Sequence, residues 1–99
     1  MIFRERITVT EEFFFTKTEV ELVNRSAAVG CSILTGASKD MAWKIWRDTY
    51  NRYSDYEIVL SQSEKTIFLS MLWEISANTK APDGLTEFVS KLTTSVRGW

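Results

Sequence analysis

Cys31 is the only cysteine of the 99-residue chain and its one thiol nucleophile. A thiol attacks as its thiolate, and a neighbouring base usually generates that form. Cys31 falls on the apolar stripe Val20, Val23, Ala27, Cys31 and Leu34, and the chain contains no histidine to activate it. It reads as a buried structural thiol. The acids Glu11–Glu12 and Glu19–Glu21 are the next candidates, as carboxylate pairs for proton transfer. Glu19 and Glu21 are explained by the first turn of a predicted helix, where negative charge complements the helix dipole. Asp55, Glu57, Asp83 and Glu87 fall at helix starts or connectors and read as solvated in the same way.

Without histidine the commonest general base and the commonest metal ligand are missing. One cysteine cannot build a structural zinc site alone. The four glycines stand at 30, 36, 84 and 98, with neither of the spacings that cradle phosphate. No catalytic, cofactor-binding or metal-binding residue is assigned. The expectation is a protein that is not an enzyme and carries no cofactor.

What the chain does offer is aromatic surface. Thr35–Arg47, TGASKDMAWKIWR, reads as a tight turn opening onto a helix with two tryptophans. Gly36 suits the left-handed end of one helix, and Ser38 suits the cap of the next. The helix is predicted over about 39–53. Placed at about 100° per residue, Met41, Ala42, Trp43, Ile45, Trp46, Thr49, Tyr50 and Tyr53 fill an apolar arc of about 200°, wider than one core-facing stripe needs. If the Ile45 side packs inward, Trp43 and Tyr50 form an aromatic edge beside Arg47, the residue types that dominate protein interfaces. Burial of the whole arc between neighbouring helices is the plainer reading. The triplet Phe13, Phe14 and Phe15 supplies a second candidate patch, since three adjacent side chains cannot all face one way.

The same segment supports an alternative, a helix-turn-helix that binds DNA. The turn Thr35–Ser38 would join two helices, and Lys44, Arg47 and Asn51 would face the major groove. Residues 25–53 carry a net charge of +3 between flanks of −2 each. Against this, Asp40 and Asp48 share the polar face, Ser32 stands where such motifs usually place alanine, and the total charge is −1, whereas phosphate binding favours basic domains.

These side chains need a scaffold. Phe3, Ile7 and Val9 alternate with Arg4 and Arg6 and predict a strand, and a second strand is placed near 12–16. Thr18-Glu19-Val20-Glu21 reads as a capping box opening a helix from about 19 to 34, with Gly30 inside it where something packs closely. Tyr56, Ile58 and Leu60 predict a short strand or an extended connector. Ser61-Gln62-Ser63-Glu64 is a further capping box, opening a helix to about Asn78 with the stripe Ile67, Phe68, Met71, Leu72 and Ile75, and Trp73 to the side. After the break Ala81-Pro82-Asp83-Gly84, the residues Leu85, Phe88, Leu92 and Val96 predict a final helix, and Trp99 ends the chain. The expected fold is mainly α (α+β): about four helices in a single domain spanning 1–99, with a short N-terminal β element.

At 44% hydrophobic and 25% charged the chain is an ordinary globular sequence, long enough for a core without disulfide or metal. The longest apolar run, Ile67 to Leu72, is interrupted by Ser70 and falls short of a membrane span. The opening MIFRERITVTEE has no apolar signal-peptide core, and one cysteine suits a reducing compartment, so a cytoplasmic location is expected. The functional expectation is a small regulatory or inhibitory protein. It would act by binding another protein through Trp43, Arg47 and Tyr50, with Phe13–Phe15 as the second patch. DNA is the alternative partner. Self-association through Phe88, Leu92, Val96 and Trp99 is a further reading, for which docking on the protein's own core is the simpler account.

Overall fold

The computed structural model describes residues 10–95. The strand expected from Phe3 to Val9, and the terminal Val96 and Trp99, lie outside those residues. In chain order the elements are β1 (Thr10–Phe15), α1 (Lys17–Ile33), α2 (Gly36–Thr49), β2 (Tyr56–Ser61), α3 (Gln62–Ser76) and α4 (Leu85–Ser95). This is the expected mainly helical α+β architecture. The strand near 12–16 and the strand from Tyr56 pair with each other, antiparallel, with the α1–α2 hairpin inserted between them.

The two-stranded ribbon is amphipathic because its side chains alternate. Phe13, Phe15, Ile58 and Leu60 are buried, while Phe14 and Val59 are 72% and 47% exposed. Phe13 meets Phe68 of α3 edge-on at 5.5 Å, and Phe15 meets Phe88 of α4 at 5.6 Å. The triplet therefore divides as strand geometry requires. Phe13 and Phe15 are core residues, a correction to their place in the candidate patch, and only Phe14 reaches the surface.

Helix α3 is the hub. It packs against α1, α2, α4 and both strands, so it buries more than one stripe: Lys65, Phe68, Leu69, Met71, Leu72 and Ile75. Ile67, expected on that stripe, is only half-buried because Leu69 takes the inward position instead. Lys65 is fully buried and engaged with a partner. Trp73 lies to the side, as expected, at 36% exposure.

The helix ends show which local signals act. Thr16, not Thr18, caps α1: Glu19 N–H donates to Thr16 Oγ1 at 3.3 Å and Thr16 N–H donates to Glu19 Oε1 at 2.9 Å. Both partners of the capping box lie two residues earlier than expected, Thr16 with Glu19 in place of Thr18 with Glu21. An extended Thr16 leaves the strand directly into the helix, whereas Thr18 already lies in the first turn. The box at Ser61 and Glu64 forms as the sequence implies, with bonds of 3.2 and 2.9 Å. Thr16→Ala and Ser61→Ala are each expected to lower stability by about 1 kcal/mol, measured as a shift in urea midpoint. Loss at neither site would show that strand pairing alone sets these helix starts.

The joint before α2 also differs from expectation. Leu34 and Thr35 are extended, and α2 begins at Gly36, so Ser38 is a helical residue rather than a cap. Its hydroxyl donates to Glu74 of α3 at 3.4 Å. Gly36 does take the left-handed φ of 62°, but at the entry to α2 rather than the exit from α1. At the other end α2 stops at Thr49, not Tyr53, because Asn51 adopts φ 59° and turns the chain away.

Candidate functional site

Two neighbours, α1 and α3, cover one side of α2. Met41, Ala42, Ile45 and Thr49 are buried on that side. The wide apolar arc exceeds what those contacts can cover, and the surplus emerges as a strip. Trp43 is 46% exposed and Tyr50 55% exposed, with half-buried Trp46 between them. Trp46 meets Trp43 edge-on at 5.8 Å and lies against Tyr50 at 4.9 Å. Each contact of this kind contributes about 0.5–1.5 kcal/mol beyond burial, so the three rings hold one another in place. Trp46 anchors the strip by packing on the core.

The strip ends in a fixed turn. Asn24 of α1 donates from Nδ2 to the Trp46 carbonyl at 3.3 Å and to Thr49 Oγ1 at 3.0 Å. Thr49 Oγ1 in turn donates to the Ile45 carbonyl at 2.6 Å. Arg52 Nε donates to the Asp48 carbonyl at 3.1 Å, and its guanidinium lies 4.2 Å from the centre of the Tyr56 ring. The last carbonyls of a helix have no partner within it. Here side chains from α1 and from the following loop supply them, which fixes where Tyr50 points. A cleft of about 370 Å³ lies beside this turn, between Asn24 and Arg25 of α1 and the segment from Tyr50 to Tyr53. Tyr53, at 70% exposed, is held by a bond from its hydroxyl to Asn51 Oδ1 at 3.0 Å.

The structure brings Trp43, Arg47 and Tyr50 onto one exposed surface. Lys44 is drawn into an ion pair with Asp48 at 2.8 Å. Arg47 is exposed and makes no such pair. Asn51 lies beyond the end of α2, so Lys44, Arg47 and Asn51 do not share one helix face, as a recognition helix over 39–53 would require. The four-residue turn of that motif is absent too, since Gly36–Ser38 belong to α2. Sequence reasoning placed Trp46 on the arc but missed its bridging role, and Asn24 carried no signal. Its partners stand 22 and 25 residues away.

Elsewhere, Cys31 is half-buried against the core rather than fully enclosed. Burial pushes its thiol pKa up, and Lys39 opposes that only in part. The thiolate is thereby disfavoured. Among the described residues no group of three or more histidine, cysteine, aspartate or glutamate residues could hold a metal ion, and no helix is long and apolar enough to cross a membrane. Phe88 and Leu92 of α4 are partly buried against the core. Comparison with family models, curated proteins and solved structures finds no match.

Proposed function

We propose that this chain is a small, non-catalytic regulatory or inhibitory protein of the cytoplasm. It binds another protein through the strip Trp43–Trp46–Tyr50 together with Arg47. One observation carries the reading: an aromatic strip, two of its rings about half exposed, held by the core at Trp46 and by the side-chain cap at the end of α2. Exposed aromatics that are already immobilised lose little conformational entropy on binding. Arginine beside tryptophan and tyrosine is the usual composition of an interface hot spot.

The test begins with purification of the partner from host extract on the immobilised wild-type chain. Affinity is then measured calorimetrically for Trp43→Ala and Tyr50→Ala. Each substitution is expected to weaken binding by about 2 kcal/mol, roughly thirtyfold, while lowering stability by about 1 kcal/mol or less. Unchanged affinity in both variants would remove the strip as the interface. A helix-turn-helix protein would behave differently, with salt-sensitive retention on duplex DNA that Arg47→Glu abolishes. The pairing of Lys44 with Asp48 argues against that outcome.

A further inference from the structure

A different surface, the outward face of the β1–β2 ribbon, combines exposed apolar side chains with carboxylates that have no ion-pair partner among the described residues. Alternation puts Glu12 and Phe14 on this face from β1, and Glu57 and Val59 from β2. The register sets Phe14 opposite Glu57 and Glu12 opposite Val59. Apolar and acidic side chains therefore form a checkerboard, with the glutamates on one diagonal. Residues on such a diagonal stand about 7–8 Å apart. Among the described residues neither carboxylate takes part in an ion pair or hydrogen bond. Two hollows open beside Phe14. One, of about 330 Å³, runs past Asp55 and Tyr56, and the other, of about 170 Å³, is lined by Phe15, Phe88 and Leu92 together with Glu19 and Lys91 of opposite charge.

These features select one ligand group. Two neighbouring carboxylates repel each other, and a cation set between them relieves the repulsion. The exposed ring of Phe14 attracts a cation through its quadrupole. A guanidinium meets both demands at once, because it is planar, weakly hydrated and presents several donors in a fixed fork. An ammonium is compact and more strongly hydrated. The hollow over Phe88 and Leu92 suits an aliphatic side chain on the same ligand.

We propose that this face binds an arginine-bearing segment of another protein, whose guanidinium lies on Phe14 and bridges Glu12 and Glu57. A neighbouring apolar side chain of that segment fills the hollow over Phe88 and Leu92. The site is independent of the strip on α2 and opposite to it in charge.

The test is a nuclear magnetic resonance titration of the full chain with a capped pentapeptide of alternating leucine and arginine. Shifts are expected at Glu12, Phe14, Glu57 and Val59. Phe14→Ala and Glu57→Gln should each weaken binding about threefold or more. Both positions are exposed, so circular dichroism should show the fold retained. The lysine counterpart of the peptide, and free arginine amide, should each bind more weakly than the arginine peptide. Shifts confined to α2, no shifts at millimolar peptide, or unchanged affinity in both variants would overturn the proposal. Equal binding of the lysine peptide or of free arginine amide would also overturn it.

Discussion

Phe68→Ala is expected to remove about 3–5 kcal/mol of stability, the range for truncating a fully buried aromatic side chain. A domain of this kind holds about 5–15 kcal/mol in all, so the variant should unfold at a much lower urea concentration. Phe68 is fully buried and receives the edge of Phe13 from the strand. Its loss leaves a void where α3 meets the ribbon, and the contact that seats β1 disappears. Trp43→Ala removes a larger side chain, yet that side chain is 46% exposed, so it should cost about 1 kcal/mol or less. The contrast separates scaffold from surface. Equal destabilisation by both substitutions would mean that Trp43 belongs to the core, and the proposed interface would go with it.

Local signals were readable wherever a few adjacent residues decide the outcome. Ser61 and Glu64 form their capping box as the spacing implies, and Pro82 with Gly84 separates α3 from α4. The displaced start of α1 shows the limit. Thr16 and Thr18 are both plausible caps from composition, and the choice falls to the strand that ends at Phe15, one residue before Thr16. The end of α2 shows the same limit. Nothing in Tyr50-Asn51-Arg52-Tyr53 forbids another turn of helix, yet Asn24 and Arg52 satisfy the last carbonyls and Asn51 turns left-handed. Burial of Lys65 had no local signal at all. It follows from α3 lying at the centre of the fold, where neighbours cover several of its sides.

The candidate site was legible in composition but not in geometry. An apolar arc of about 200° says that α2 has more apolar surface than one neighbour can cover. How much stays exposed depends on how many neighbours there are. Two of them leave Trp43 and Tyr50 about half exposed and Trp46 half-buried. Phe14 is simpler, since strand alternation alone exposes the middle residue once its neighbours are buried. The pairing of β1 with β2 joins segments far apart in sequence, as with Phe13 and Ile58, 45 residues apart, and no spacing rule within either strand points to the other.

Gly30→Val is expected to destabilise the protein by about 3 kcal/mol, and the cause lies where α1, α2 and α3 meet. A Cβ at Gly30 would stand 2.9 Å from Ile75 Cδ1 and 3.1 Å from both Ala42 Cβ and Leu34 Cδ1. The two terminal methyl groups can rotate away. Ala42 Cβ cannot, because it is fixed to the backbone of α2, so the two helices must separate. Gly30→Ala tests the balance more finely. Helix propensity favours alanine by about 1 kcal/mol, while the close contacts oppose it by about 1–3 kcal/mol, and a net loss is expected. Ile75→Val removes the methyl that stands closest. Alone it should cost about 0.5–1.5 kcal/mol, but beside alanine at position 30 it should cost close to nothing, because the new methyl occupies the space released. Urea unfolding of the four proteins in this cycle measures the coupling. Strictly additive effects, or a stabilising Gly30→Ala, would show that the helices have room there. The close approach would then not be what sets α2, and the aromatic strip it carries, against the core.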